Sequence, residues 1–243
     1  MRIDLDSIRQ HLDDGGSVNV SNDQGRTMLS FMAGQGRVDI MKLLLDHGAD
    51  MEQPDDMGET PLSYAAVNSR EATLLLLEYG AAVDAPVGHY RQTPLTGAAY
   101  WECVPMMEAL LAHGAQVDAP NSTGSTALMR AAGSQRIQAV MLLLDRQADV
   151  NIQNCHGNTA LHFAVMQGRP SDQAELVRLL LARGANPELV NRDGAFAEEL
   201  AEGPAREVLA EERVERERAL LQQALHVEAS AGPVVAEAPR RRL

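Results

Sequence analysis

Threonine stands at positions 27, 60, 93, 126 and 159, a spacing of 33 residues every time, and leucine follows two residues later at Leu29, Leu62, Leu95, Leu128 and Leu161. A self-repeat of this period means that the chain is built by stacking one small supersecondary unit rather than by folding around one central core. Each unit then touches only its neighbours, and the stack presents a long continuous surface, so recognition is expected before chemistry.

The stretch 22–54 shows the unit. It opens with Asn-Asp-Gln-Gly-Arg-Thr, a polar turn, and Thr27 is placed to cap an apolar helix ending near Ala33. In the next two units proline follows the threonine, as Thr60-Pro61 and Thr93-Pro94, where a missing N–H removes a donor that would be unpaired anyway. Gln35-Gly36 breaks the first helix, and Val38, Ile40, Met41, Leu43, Leu44 and Leu45 recur at helical spacing in a second. Gly48 ends it as a C-cap.

This turn–helix–turn–helix unit resembles the ankyrin repeat. The resemblance rests on Gly58–Ala66 (GETPLSYAA), Gln92–Ala99 (QTPLTGAA), Gly124–Ala132 (GSTALMRAA) and Gly157–Val165 (GNTALHFAV), with the closings HGADME, YGAAVD, HGAQVD, RQADVN and RGANPE, and it covers about residues 4 to 210. It implies an all-α ankyrin-repeat solenoid of helix–turn–helix units joined by short β-hairpin-like turns. The units are expected at 22–54, 55–87, 88–120, 121–153 and 154–190. A degenerate N-terminal cap (1–21) precedes them and a degenerate C-terminal cap begins at 191–203, since the end units of a stack face water. A charged helix with Val214, Leu221 and Leu225 as a thin apolar stripe is expected over 204–228, and a disordered tail over 229–243, ending in Arg240-Arg241-Arg242.

Departures from the pattern carry information. Arg91 replaces the turn glycine of the third unit, so that hairpin tip is expected to be remodelled. The second unit is one residue short near Asn68-Ser69, and the fifth gains four around 168–175. Only the fifth keeps the motif histidine, His162, expected to bond neighbouring turn backbone.

Net charge is −13, and because residues 204–243 hold seven acids and seven bases, the repeats carry all of it, 27 acids against 14 bases. Such a field disfavours nucleic acid and anionic membrane and favours a basic protein partner. Cys103 and Cys155 fall in different units, which argues against a disulfide framework. Neither an apolar leader nor a membrane-length apolar run is present, so a cytoplasmic monomer is expected. Lys42 is the only lysine beside 20 arginines, a bias that suggests a GC-rich bacterial source.

The resemblance also implies where contacts form: hairpin tips, the end of the first helix and the residue before Gly-Ala. Those slots hold His89 and Tyr90 at the third tip, Tyr100-Trp101 at the first helix end, and Tyr79 and His113 before Gly-Ala; the second tip adds Met57, Asp56 and Glu59. In a chain with 3% aromatics, these slots gather the only tryptophan and three of four tyrosines, residue types enriched in binding hot spots. Glu52 and Asp55 are further candidates for an acidic rim. The bland alternative is that Trp101 caps an inter-helix turn, Tyr79 covers a neighbouring helix and the acids are solvated.

No HExxH, CxxC, phosphate-binding loop or Gly-x-Ser-x-Gly occurs, and Cys155-His156 lacks further ligands at metal spacing, so neither catalysis nor a metal or cofactor is expected. The favoured expectation is a protein-binding adaptor acting through its concave surface. The alternative is an immunity or antitoxin-type inhibitor that occludes a toxic enzyme.

Overall fold

The structure, a computed structural model, describes residues 4–168 and 170–230. Helix α1 (Leu5–Asp13) precedes five helix pairs: α2 (Met28–Gly34) with α3 (Val38–Asp46), α4 (Pro61–Asn68) with α5 (Arg70–Glu78), α6 (Pro94–Tyr100) with α7 (Val104–Ala112), α8 (Ala127–Gly133) with α9 (Ile137–Asp145), and α10 (Ala160–Met166) with α11 (Pro170–Ala182). The short α12 (Ala197–Leu200) and the long α13 (Gly203–Ser230) close the stack. Among the described residues there is no extended sheet; isolated antiparallel bridges such as Val87↔Gln92 tie the feet of the hairpins.

The repeating threonine starts each first helix in the way the spacing predicts. Thr27, Thr60, Thr93 and Thr126 accept from the amide three residues on, each satisfying a donor that the first turn leaves open. Behind them the leucines are 1% exposed in every unit, and alanine pairs such as Ala65-Ala66, Ala98-Ala99 and Ala131-Ala132 are at most 1% exposed. These small side chains let successive first helices approach closely, which is why the core forms with so few aromatics.

One hydrogen-bond ladder runs along the stack and one turn motif recurs within its tips. The amide of each hairpin tip donates to the tip before it: Asp56 to Gln24 (3.0 Å), Gly88 to Gly58 (3.1 Å), Ser122 to Tyr90 (2.9 Å), Cys155 to Thr123 (2.8 Å) and Arg192 to His156 (2.9 Å). Within a tip, the side-chain oxygen of Asn22, Asp55, Asn121, Asn154 or Asn191 accepts from the amides two and four residues on, forming an Asx turn. The third unit has Gly88 in that slot and lacks this support.

The third tip is remodelled in register: the Val87 amide donates to Gln92 O (2.7 Å) across five residues, where the second tip closes across four from the Asp55 amide to Glu59 O (3.0 Å), and Gly88 takes φ 66°. Arg91 takes φ 48°, the left-handed conformation that glycine adopts at the same slot elsewhere. Its amide donates to Gly88 O (3.0 Å), as Gly58 does to Asp55 O (2.9 Å). The tip ladder imposes the turn, and the arginine bears the strain, about 1 kcal/mol. In the second unit Ser69 serves at once as the end of α4 and the N-cap of α5, so the missing residue is absorbed by fusing two caps. In the fifth, the extra residues lengthen the second helix to 13 residues where the others have nine.

The ends behave differently from one another. α13 lays Ala205, Val208 and Leu209 against the stack, while Val214 and Leu221 stay exposed, so the helix first packs and then projects. It reaches Ser230, two residues into the stretch expected as tail; residues 231–243, with the three arginines, lie outside the described residues.

His162 ties the fifth unit to the cap. Its Nδ1 accepts from the Thr159 amide (3.2 Å) and lies 2.9 Å from the Thr159 hydroxyl, so the proton sits on Nε2, which donates to Ala195 O (3.2 Å). Burial holds its pKa below 6.5, against the opposing pull of the Ala195 carbonyl. A proton added to Nδ1 would face two donors. Because the folded pKa is depressed, the contribution of His162 is fully present above 6.5 and is lost as pH falls from there through the folded value. Thermal melts between about pH 7.5 and 5 are expected to show this decline, with a flatter slope in His162→Gln; equal slopes in the two proteins would rule the assignment out.

Candidate partner-binding face

The first helices and hairpin tips share one face of the stack, and its relief follows from two slots of the repeat. Four residues after the threonine stand Phe31, Tyr64, Gly97, Arg130 and Phe163; seven after it stand Gly34, Val67, Tyr100, Gly133 and Met166. Residues three and four apart share a helix face, so the two slots of one helix line up. The seventh residue of one unit meets the fourth of the next. A Cβ built at Gly34 would lie 3.7 Å from the Tyr64 Cβ, and one at Gly133 would lie 3.3 Å from the Phe163 ring, while the Arg130 guanidinium stacks 4.8 Å from the centre of the Tyr100 ring. A large group sits over a glycine at Gly34 and Gly133, two large groups stack at Tyr100 and Arg130, and a Cβ at Gly97 would meet nothing within 4 Å.

Two arginines organise this face. Arg26 lies 3.8 Å from the centre of the Tyr64 ring and 5.3 Å from that of Phe31, cation–π distances. Asp55 stands beside it: the Tyr64 hydroxyl donates to its Oδ2 (2.6 Å) and the Met57 and Glu59 amides to its Oδ1. Burial pushes the Asp55 carboxyl up, but these donors and the Arg26 charge outweigh it and hold it below the ordinary carboxylate value. The same burial and the carboxylate drive Tyr64 up to about 12. Asp55 is therefore a buried organiser of the tip and not part of a solvated rim. Glu52 is likewise engaged, accepting from the Ala82 amide (2.7 Å) across to the next unit.

Arg130 organises the other half. It stacks on Tyr100, which meets Trp101 edge-on, with ring centres 5.0 Å apart and planes at 86°. Arg130 also lines a cleft with Tyr90, Gln92, His156 and Phe163. The structure thus brings Tyr90, Tyr100 and Trp101 into one patch through an arginine. Trp101 remains 57% exposed and Tyr90 62%, although the Trp101 backbone does serve as the C-cap of α6. His89 is exposed on the same tip as Tyr90, and Met57 (64% exposed), Asp56 and the half-buried Glu59 stand on the tip of the second unit.

Tyr79 and His113 lie elsewhere, at the ends of the second helices. The half-buried Tyr79 donates from its hydroxyl to Asp46 Oδ1 (2.5 Å), 33 residues back, and this carboxylate keeps its pKa raised. His113 Nδ1 caps Ala109 O (2.8 Å), as His47 Nδ1 caps Leu43 O (2.8 Å). Nothing brings these two residues to the aromatic patch.

Arg26, Phe31, Tyr64, Arg130 and Phe163 join this face without occupying the contact slots that the family resemblance implies. All but Arg26 share one slot of the 33-residue period, so the signal was present as a row of large side chains four residues after each threonine. Cys155 is exposed, and among the described residues no cluster of three His, Cys, Asp or Glu suits a metal. No described helix is long and apolar enough to cross a membrane.

A five-pair stack with large side chains exposed on its first-helix face defines a helical-repeat recognition scaffold. The family model "Ankyrin repeats (3 copies)" matches residues 3–87 and 95–191, and the chain belongs to that family. It is similar to the human ASB11 ankyrin repeat domain (28% identity, TM-score 0.73, covering 84% of this chain and 90% of that one) and to the ankyrin repeat domain of Bcl-3 (26%, 0.74, 86% and 91%). An ankyrin repeat domain of Acinetobacter baumannii matches at 30% identity and a TM-score of 0.67, covering 74% of this chain and 93% of that one. Among curated proteins, the Arabidopsis thaliana potassium channel AKT1 is 40% identical over 169 residues, 69% of this chain and 19% of that protein. The mouse B-cell lymphoma 3 protein homolog is 40% identical over 95 residues, 39% of this chain and 21% of that protein. The chain therefore spans about a fifth of the length of these curated relatives. Relatives from mouse, plant and human beside a bacterial one do not support a bacterial source from the arginine bias. Ankyrin repeats are protein–protein interaction modules and in general not enzymes.

Proposed function

We propose that this chain is an adaptor that binds a protein partner along the concave, first-helix face of its stack, with Trp101, Tyr100 and Tyr90 at the centre. The observation that carries this reading is the continuity of Tyr90, Arg130, Tyr100 and Trp101, because aromatic and arginine side chains clustered at one place are the usual anchors of an interface. His89 and the second tip, with Met57, Asp56 and Glu59, extend the surface toward the N-terminus. Tyr79 and His113 act on the second-helix side, through Asp46 and Ala109. A net charge of −13 favours a partner of basic surface charge and a monomer as the working form, with the cytoplasm as the place of action. The same acidity favours, as a second reading, an inhibitor of the immunity or antitoxin type that covers a basic active site.

The test is recovery of the partner by crosslinking in native cells, followed by titration of the purified pair. Trp101→Ala is expected to weaken binding by about 2 kcal/mol, roughly 30-fold, as truncation of a hot-spot tryptophan does. A change below about 1 kcal/mol would remove Trp101 from the centre of the interface.

A further inference from the structure

Arg26 and Arg130 are the two arginines stacked on aromatic rings of the first-helix face, and they differ in one respect. Arg26 has the Asp55 carboxylate for company. Around Arg130 the same turn slot holds Asn121 and Asn154, which build the identical Asx turn without a charge. Among the described residues neither arginine is in an ion pair and the Nε of each is buried without an acceptor, but no carboxylate acts on Arg130 as Asp55 does on Arg26. In a chain carrying 34 acids against 21 bases, a cleft with an arginine and no acid in its lining is a local reversal of the general field.

Arg130 borders a cleft of about 310 Å³ between the tips of the third, fourth and fifth units. Gln92, Thr123 and His156 contribute further hydrogen-bonding groups to its lining, Tyr90 and Phe163 provide aromatic surface, and no acidic residue lines it. The Tyr100 ring holds the guanidinium from one side, so its orientation is set before a ligand arrives. A planar guanidinium fixed in this way favours a carboxylate, which it can meet with two parallel N–H···O bonds.

We propose that the Arg130 cleft receives the side-chain carboxylate of an aspartate or glutamate in the contact segment of the protein partner. The proposal rests on the reading of this face as the partner surface and adds the chemistry of one anchor. A basic partner then carries a single acid at the point of contact: the general field steers the approach, and Arg130 sets the register.

The test uses a displayed library of random 12-residue peptides selected on the full chain. Selected peptides are expected to share one Asp or Glu. Arg130→Met is expected to weaken them at least tenfold, with Arg130→Lys in between. The Glu→Gln or Asp→Asn peptide is expected to lose as much on the unaltered chain, a measurement free of any folding defect in the variant. The doubly changed pair should bind no worse than either single change, since both remove one interaction. Peptides that need Trp101 but are indifferent to Arg130→Met and to loss of their own acid would overturn this inference and leave the proposed interface standing. Peptides that need neither Trp101 nor Arg130, or a selection that retains none, would overturn both. Loss of binding on adding about 10 mM inorganic phosphate, with no dependence on the peptide's acid, would overturn the carboxylate in favour of a phosphate-type anion.

Discussion

Leu95→Ala is expected to destabilise the chain by about 3 kcal/mol, and to do so unevenly. Leu95 is 1% exposed on α6, the first helix of the central unit, and α6 packs on α4 on one side and α8 on the other. Removing its branched end opens a cavity lined by the rigid backbones of three helices, which cannot collapse into it as a surface loop would. In a single-core protein such a loss lowers one cooperative transition. In a stack each unit is held only by its neighbours, so weakening the centre uncouples the two halves. Trp101 lies in the same unit and is the chain's only tryptophan, so its fluorescence reports the centre while far-ultraviolet circular dichroism reports all helices. In urea the two midpoints should coincide for the unaltered protein and separate for Leu95→Ala, with fluorescence changing first. A loss below about 1 kcal/mol, or coincident midpoints in the variant, would show that the central interface is not the limiting one.

The same nearest-neighbour logic explains what could be read from the sequence. The capping threonines, the leucines and the closing turns are interactions within one unit, so each leaves its mark every 33 residues and the fold is legible from the period alone. Side-chain contacts between units are harder. Tyr79 falls in an exposed slot by register, but its hydroxyl reaches Asp46 one unit earlier, and only the placement of the two second helices reveals this. Asp55 has the look of a solvated turn acid until Tyr64, nine residues on, folds back to donate to it. Arg130 sits inside an otherwise ordinary GSTALMRAA motif; that it stacks on Tyr100 and joins Trp101 to Tyr90 depends on a seventh-to-fourth contact across a unit boundary. The patch is thus legible as a set of exposed aromatics and illegible as a connected surface, because the residue that connects the rings is a charged one. Arg91 marks a tip whose departure is legible: the third hairpin closes from Val87 to Gln92 with both Gly88 and Arg91 left-handed, although Arg91 keeps the positive φ of the glycine that it replaces.

Gly157→Ala is expected to cost about 3 kcal/mol, and to loosen the C-terminal end selectively. Gly157 takes φ 74°, where an L side chain already costs about 1 to 2 kcal/mol. Its added Cβ would stand 2.9 Å from Asn191 Cα and 2.9 Å from the Arg192 amide nitrogen, both backbone atoms with no rotamer through which to escape. Relief requires the next hairpin to move away, and that hairpin is held by the bond from the Arg192 amide to His156 O (2.9 Å). Ala195 follows three residues later and accepts from His162, so the displacement is passed on to the second tie between the fifth unit and the cap. Gly48→Ala is the control: φ is 80° there, but a Cβ would meet nothing within 4 Å, so only the conformational cost of about 1 to 2 kcal/mol applies. Hydrogen exchange should show faster opening of α12 and of the packed part of α13 in Gly157→Ala, with α2 to α7 unchanged, whereas Gly48→Ala should leave the C-terminal end as it was. Equal losses in the two variants would mean that the tip ladder contributes little and that the cap is held by the apolar contacts of Ala205, Val208 and Leu209 alone.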